Sequence, residues 1–111
     1  MITTLAGLVL LINSHRAAPL TVDPLLSTRA QERAEFLCAS GQWSHAGWGK
    51  SFKDMPAKRI GENLAKGFPS FDAADRALMN SPSHKANIVD SRYSRVGVGK
   101  ACNIIVELFI G

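Results

Sequence analysis

Asn80-Ser81-Pro82-Ser83-His84-Lys85-Ala86-Asn87-Ile88 is the stretch on which the reading of this chain turns. Serine is a favoured N-cap and proline suits the first helical position, so the order predicts a helix starting at Pro82. His84 then falls in its first turn. The positive end of a helix disfavours imidazolium, so His84 is expected to stay neutral at pH 7 and to offer a lone pair to a metal ion or a proton donor. A histidine in that place can equally pack or cap, and alone it decides nothing. His45 and Glu62 lie upstream in contexts that also look specific.

Outward from this stretch the elements follow from caps and periodicity. Val96-Gly97-Val98-Gly99-Lys100 and Ile104 to Phe109 read as two strands around a turn at Ala101-Cys102-Asn103. Phe71, Ala74, Ala77 and Leu78 mark a helix just before Ser81. Asp23-Pro24 reads as the start of another, running to about Ala39 and stopped by Gly41. Leu26, Ala30, Ala34, Leu37 and Cys38 form its apolar stripe, while Arg29, Glu32, Arg33 and Glu35 are expected to be mostly solvated.

Ile2 to Ile12 is almost wholly apolar, but far short of the ~20 residues a membrane-spanning helix needs. It carries no basic n-region and no small-x-small cleavage site, so a packed helix is expected rather than a removed leader. Gln42 to Pro69 reads as irregular, with one short helical turn within Phe52 to Lys58. Helices ahead of a terminal hairpin predict an α+β fold, a small sheet sandwiched by helices, in one domain over residues 1–111.

The composition, 46% hydrophobic and 20% charged, is that of an ordinary folded chain with a single core. Thirteen Lys and Arg against nine Asp and Glu give a net charge of +4. These basic residues are dispersed and not interleaved with aromatics, which argues against a nucleic-acid partner. What the charge permits is a mild preference for acidic surfaces such as anionic lipid or wall polymers. Cys38 and Cys102 lack metal-type spacing and either pair or remain free thiols.

Taken together, the motifs resemble the CAP superfamily of cysteine-rich secretory, antigen 5 and pathogenesis-related 1 proteins, whose unit is also called the SCP domain. The resemblance rests on Leu11-Ile12-Asn13-Ser14-His15-Arg16 through Pro19-Leu20, Asp23 to Leu37, Gly41-Gln42-Trp43-Ser44-His45, Gly61-Glu62-Asn63-Leu64-Ala65, the stretch Ser81 to Ile88, and Tyr93 to Gly99. It implies a three-layer α-β-α sandwich around a small antiparallel sheet, with a central cleft carrying His45, Glu62 and His84. It further implies a divalent metal, commonly zinc, at His45 and His84, and binding of sterols, other lipids or surface ligands. The family setting is extracellular. The chain also departs from the pattern. Leu78-Met79-Asn80-Ser81 lacks the second cleft glutamate, Leu78 replaces a usual tryptophan, and Glu107 stands where glutamine is common.

Two histidines alone are a sparse zinc set, since most sites have at least three protein ligands. Glu62 would then orient an imidazole or act as catalytic base on a bound water, against the alternative of a hydrogen-bonded cluster tying loops to the sheet. Three functions follow: a module binding a lipid, wall-derived or surface ligand; a structural or adhesion part of a larger particle such as a virion or surface layer; and a metal-assisted hydrolase centred on Glu62. No complete catalytic set is visible, which puts the binding module first.

Overall fold

The computed structural model describes residues 1–111. Helix α1 spans Leu5–Ser14, opened by Thr4, whose hydroxyl accepts the Gly7 amide at 3.0 Å. Strand β1 is Thr21–Val22. Helix α2, Pro24–Ser40, is capped by Asp23, which accepts the Leu26 amide at 2.9 Å, and ends on Gly41 in the left-handed region at φ 67°. A 3-10 turn at Trp48–Phe52 precedes strand β2, Ile60–Lys66. Helices α3, Phe71–Met79, and α4, Pro82–Val89, lead to the hairpin of β3, Arg95–Ala101, and β4, Ile104–Ile110.

The sheet order is β1-β3-β4-β2. Both long neighbours run antiparallel to β4, from Ile60↔Ile110 to Lys66↔Ile104 on one side and Arg95↔Ile110 to Ala101↔Ile104 on the other. The two-residue β1 adds a parallel edge against β3. Side chains alternate across the sheet, so Leu64, Ile104, Val106, Leu108 and Ile110 meet Leu26, Ala30, Ala34 and Leu37 of α2. The opposite parity, Ala65, Val96, Val98, Ile105 and Phe109, packs under α1, α3 and α4. Three layers result, as expected of an α-β-α sandwich.

Two expectations are corrected. The segment 60–66 is a paired strand, not irregular chain, and the helical turn lies at Trp48–Phe52 rather than beyond Phe52. Gly61, Glu62 and Asn63 are poor strand formers, so pairing with β4 overrides local preference. In α1, Leu8 and Ile12 are fully buried, whereas Leu10 faces outward at 72% exposure. Cys38 at the end of α2 and Cys102 in the β3–β4 turn are joined, with Cα atoms 6.0 Å apart. A link across a separation of 64 residues restricts the unfolded chain by about 4 kcal/mol on the chain-entropy account.

The Val-Gly-Val-Gly order of β3 has a steric purpose. The valines face α1 and α3, while Gly97 and Gly99 let the backbone of α2 rest directly on the strand. A Cβ at Gly99 would stand 2.5 Å from the Gln31 amide nitrogen, and one at Gly97 would fall on the Leu26 carbonyl. Backbone cannot swing aside as a side-chain tip can. Gly97→Ala and Gly99→Ala should therefore each lower stability in urea by about 1–3 kcal/mol. Gly49→Ala, with open space around it, should stay within about 0.5 kcal/mol.

Candidate functional site

Arg33 is the anchor of the site. It lies on α2 at the 26-30-33-37 spacing of the buried stripe and is buried itself, which corrects its expected place on the solvated face. The reason is a partner across the sheet. Glu62 shares the parity of Leu64 on β2 and points at α2, where Arg33 Nε donates to Oε2 at 3.0 Å and Nη2 to Oε1 at 3.4 Å. The rest of the guanidinium fork donates to the Ala46 carbonyl at 3.1 Å and the Ser44 carbonyl at 3.2 Å. One side chain therefore ties α2, β2 and the 44–46 loop together.

That loop delivers His45. Its Nδ1 lies 2.8 Å from Glu62 Oε1. The carboxylate can only accept, so Nδ1 carries the proton and Nε2 the lone pair. The glutamate side chain is 1% exposed and the imidazole 55% exposed, a buried acid presenting a solvent-facing ring. Trp48, Ile60, Gly61 and Asn87 complete a hollow of about 300 Å³ around the pair.

His84 sits in the first turn of α4, as the Ser81-Pro82 signature predicts. Ser81 makes no side-chain bond to the helix amides; its hydroxyl lies 2.8 Å from His84 Nδ1. Burial first, and then the charge of His45, hold the His84 imidazole below its usual pKa. The ring lines a second groove of about 400 Å³, walled by Trp43, Leu64, Ala65, Phe68 and Leu78. The structure thus bonds His45 to Glu62 directly and sets His84 within reach of the His45 charge, bonded to neither residue.

The asparagines of the two motifs tie backbone and side chains together, Asn87 from the wall of that hollow. Asn63 Nδ2 donates to the His84 carbonyl at 3.1 Å and to Glu107 Oε1 at 3.2 Å. Asn87 Nδ2 donates to Asn63 Oδ1 at 2.9 Å, and Tyr93 closes the run through its hydroxyl. Sequence reasoning missed Arg33, although its spacing on the apolar stripe was a usable signal. It also missed Asp75, bonded to His15 at 2.7 Å, for which no local pattern exists.

The donor set is short for a metal. Both Glu62 oxygens already accept, a guanidinium sits beside them, and no three His, Cys, Asp or Glu side chains converge. These residues do not fit a closed, protein-held zinc centre, which takes four ligands.

The sequence profile of the cysteine-rich secretory protein family, CAP, matches residues 11–103. The chain belongs to the CAP family. A relative, the uncharacterized protein YkwD of Bacillus subtilis, is 30% identical over 102 residues, covering 84% of this chain and 40% of its own length. The chain thus spans about two fifths of that relative. An extracellular SCP-domain protein of Bacillus anthracis has the same fold, with a TM-score of 0.90 at 21% identity, over 95% of this chain and 39% of that one. An outer surface protein of Borrelia burgdorferi has a TM-score of 0.77 at 24% identity, covering 95% and 86%.

Two outcomes are expected of this CAP site. Arg33→Ala strands the buried Glu62 and should cost about 3–5 kcal/mol in chemical denaturation, part of which the double change with Glu62→Ala restores. In a proton NMR titration, the His84 midpoint should lie below 6.5 and move up in His45→Ala. Because the folded state disfavours the imidazolium, the stability due to this group rises with pH between the folded midpoint and 6.5, and is complete above it.

Proposed function

We propose that the chain is a CAP-type binding module whose ligand lies along β2, its apolar body in the groove beside His84 and its polar end toward His84 and His45. The observation that carries this reading is the run of Trp43, Leu64, Ala65, Phe68 and Leu78 leading up to Ser81 and His84. A concave apolar lining with a few polar groups at one end suits an amphipathic molecule. Lys66 lies 5.5 Å over the Trp43 ring at the same groove and favours an acidic head. Lipids and acidic wall-derived or surface ligands share that chemistry. The extracellular and outer-surface settings of the two similar structures support a place outside the cell.

Binding is preferred to hydrolysis because Glu62 is buried against a guanidinium that holds its carboxylate ionised and occupied, a poor base for a bound water. Its role in this reading is to fix the tautomer and aim of His45. Ser81 and His84 form a local pair without a third group to orient the ring, short of a working nucleophile and base. Divalent metal at the two imidazoles is weak and incidental in this reading, and falls away as protons compete.

The test uses fluorescence titration with vesicles of anionic and of zwitterionic phospholipid, and with soluble acidic wall glycan. Trp43→Ala and Lys66→Ala change exposed side chains and leave the core intact. Each should weaken binding of the preferred probe about tenfold, the loss of roughly 1.4 kcal/mol of contact. Equal affinity in parent and variants places the ligand elsewhere. Failure to bind any probe, with native spectra, favours the assembly or adhesion reading.

A further inference from the structure

Two oxygen atoms in the core have no hydrogen-bond partner, Oδ1 of Asp75 and Oε2 of Glu107. Glu107 stands in the middle of β4, fully buried, between Asn63 of β2 and Val98 of β3. Asp75 lies on the buried face of α3. Their other oxygens are engaged: Asn63 donates to Glu107 Oε1 at 3.2 Å, and His15 of α1 holds Asp75 Oδ2 at 2.7 Å. A buried carboxylate oxygen left without a donor is costly, and two ionised carboxyls in one apolar layer are costlier.

The groups that face Glu107 are few. Asp75 comes from α3, with His15 of α1 behind it. From β2 comes Asn63, tied in turn to Asn87 and to the His84 carbonyl of α4; β3 sets Val98 opposite, while Lys100, of the same parity, is exposed with its amine over the Phe71 ring. Arg33 and Glu62 belong to the opposite face of the sheet, under α2. No cation is placed to neutralise Glu107.

We propose that Glu107 is held as the neutral acid and donates its proton from Oε2 to Oδ1 of Asp75. His15, Asp75, Glu107, Asn63 and Asn87 then form one hydrogen-bonded chain through the core, from α1 to α4. A single proton satisfies both orphan atoms, one as donor and one as acceptor. No atom is left over, since the remaining oxygens already accept from His15 and Asn63. Burial, and with it the charge of Asp75, push the Glu107 carboxyl up to about 8 against an ordinary 4.5, with the Asn63 bond pulling the other way.

The sign of the pH dependence follows. Between the unfolded and folded midpoints the native chain keeps a proton that the unfolded chain has released, so stability falls as pH rises and levels off above about 8. The folding constant loses about tenfold per pH unit from this one group.

The whole chain is used for the test. Denaturation is followed from about pH 5 to about pH 9 for the parent and Glu107→Gln, whose amide reproduces the donor and the acceptor of the neutral acid. The variant should gain on the parent as pH rises, by about tenfold in folding constant per unit, up to the folded midpoint. Parallel profiles overturn the proposal. Should the glutamine variant fail to fold, the side-chain carboxyl carbons of isotopically labelled glutamates in the parent decide by NMR. One of them must remain protonated at neutral pH, and its absence overturns the proposal. Asp75→Asn removes the like charge and offers an N–H, so it should lower the Glu107 midpoint by at least about one unit; an unchanged midpoint rules out the shared proton.

Discussion

Strand β4 meets water on neither face, and all seven of its residues are buried. A strand in that position needs a neighbour on each side for its backbone groups and a helical layer above and below for its side chains. β2 and β3 supply the first requirement; α2 and the α1–α3–α4 group supply the second. The layer on α2's side is thin because β3 presents glycine there, so helix backbone and strand backbone touch. The layer on the other side is thick, filled by Leu8, Ile12, Phe71, Leu78 and Phe109. Into that thick layer β4 introduces its one ionisable residue, Glu107, and the polar chain from His15 to Asn87 surrounds it.

Much of this was legible in the residues. Asp23-Pro24 and Ser81-Pro82 mark helix starts because capping chemistry is local and needs no tertiary partner. The terminal hairpin was visible because its strands are β-branched runs about a short turn. β2 was hidden for the opposite reason. Buried on both faces over Gly61 to Ala65, it shows no alternation, and its Gly-Glu-Asn start looks like loop. Glu62 is tolerated there only through Arg33, and neither residue announces the other 29 positions away. The motif resemblance placed His45, Glu62 and His84 in one neighbourhood. It could not reveal that a guanidinium already claims the glutamate.

That claim changes what Glu62 can do. A carboxylate free at the rim of a hollow is a ligand or a base, while one pinned by a bidentate arginine is a tether. Its energetic work goes into holding the 44–46 loop against α2 and aiming the His45 ring outward. What the tether presents to solvent is the half-exposed ring of His45, not the carboxylate. The asparagines behind them spend their hydrogen bonds inward, on the His84 carbonyl, on Glu107 and on each other.

The link between Cys38 and Cys102 closes a ring that contains the exposed segment from Gly41 to Gly47. Exposed, glycine-bearing loops are where proteases cut first. A single cut there would open the ring without releasing either piece, because α2 and the β3–β4 turn stay covalently joined. The clipped molecule would keep its sheet and run as one species until reduced. The bridge is thus a second connection between the two sides of that loop as well as a constraint on the unfolded chain.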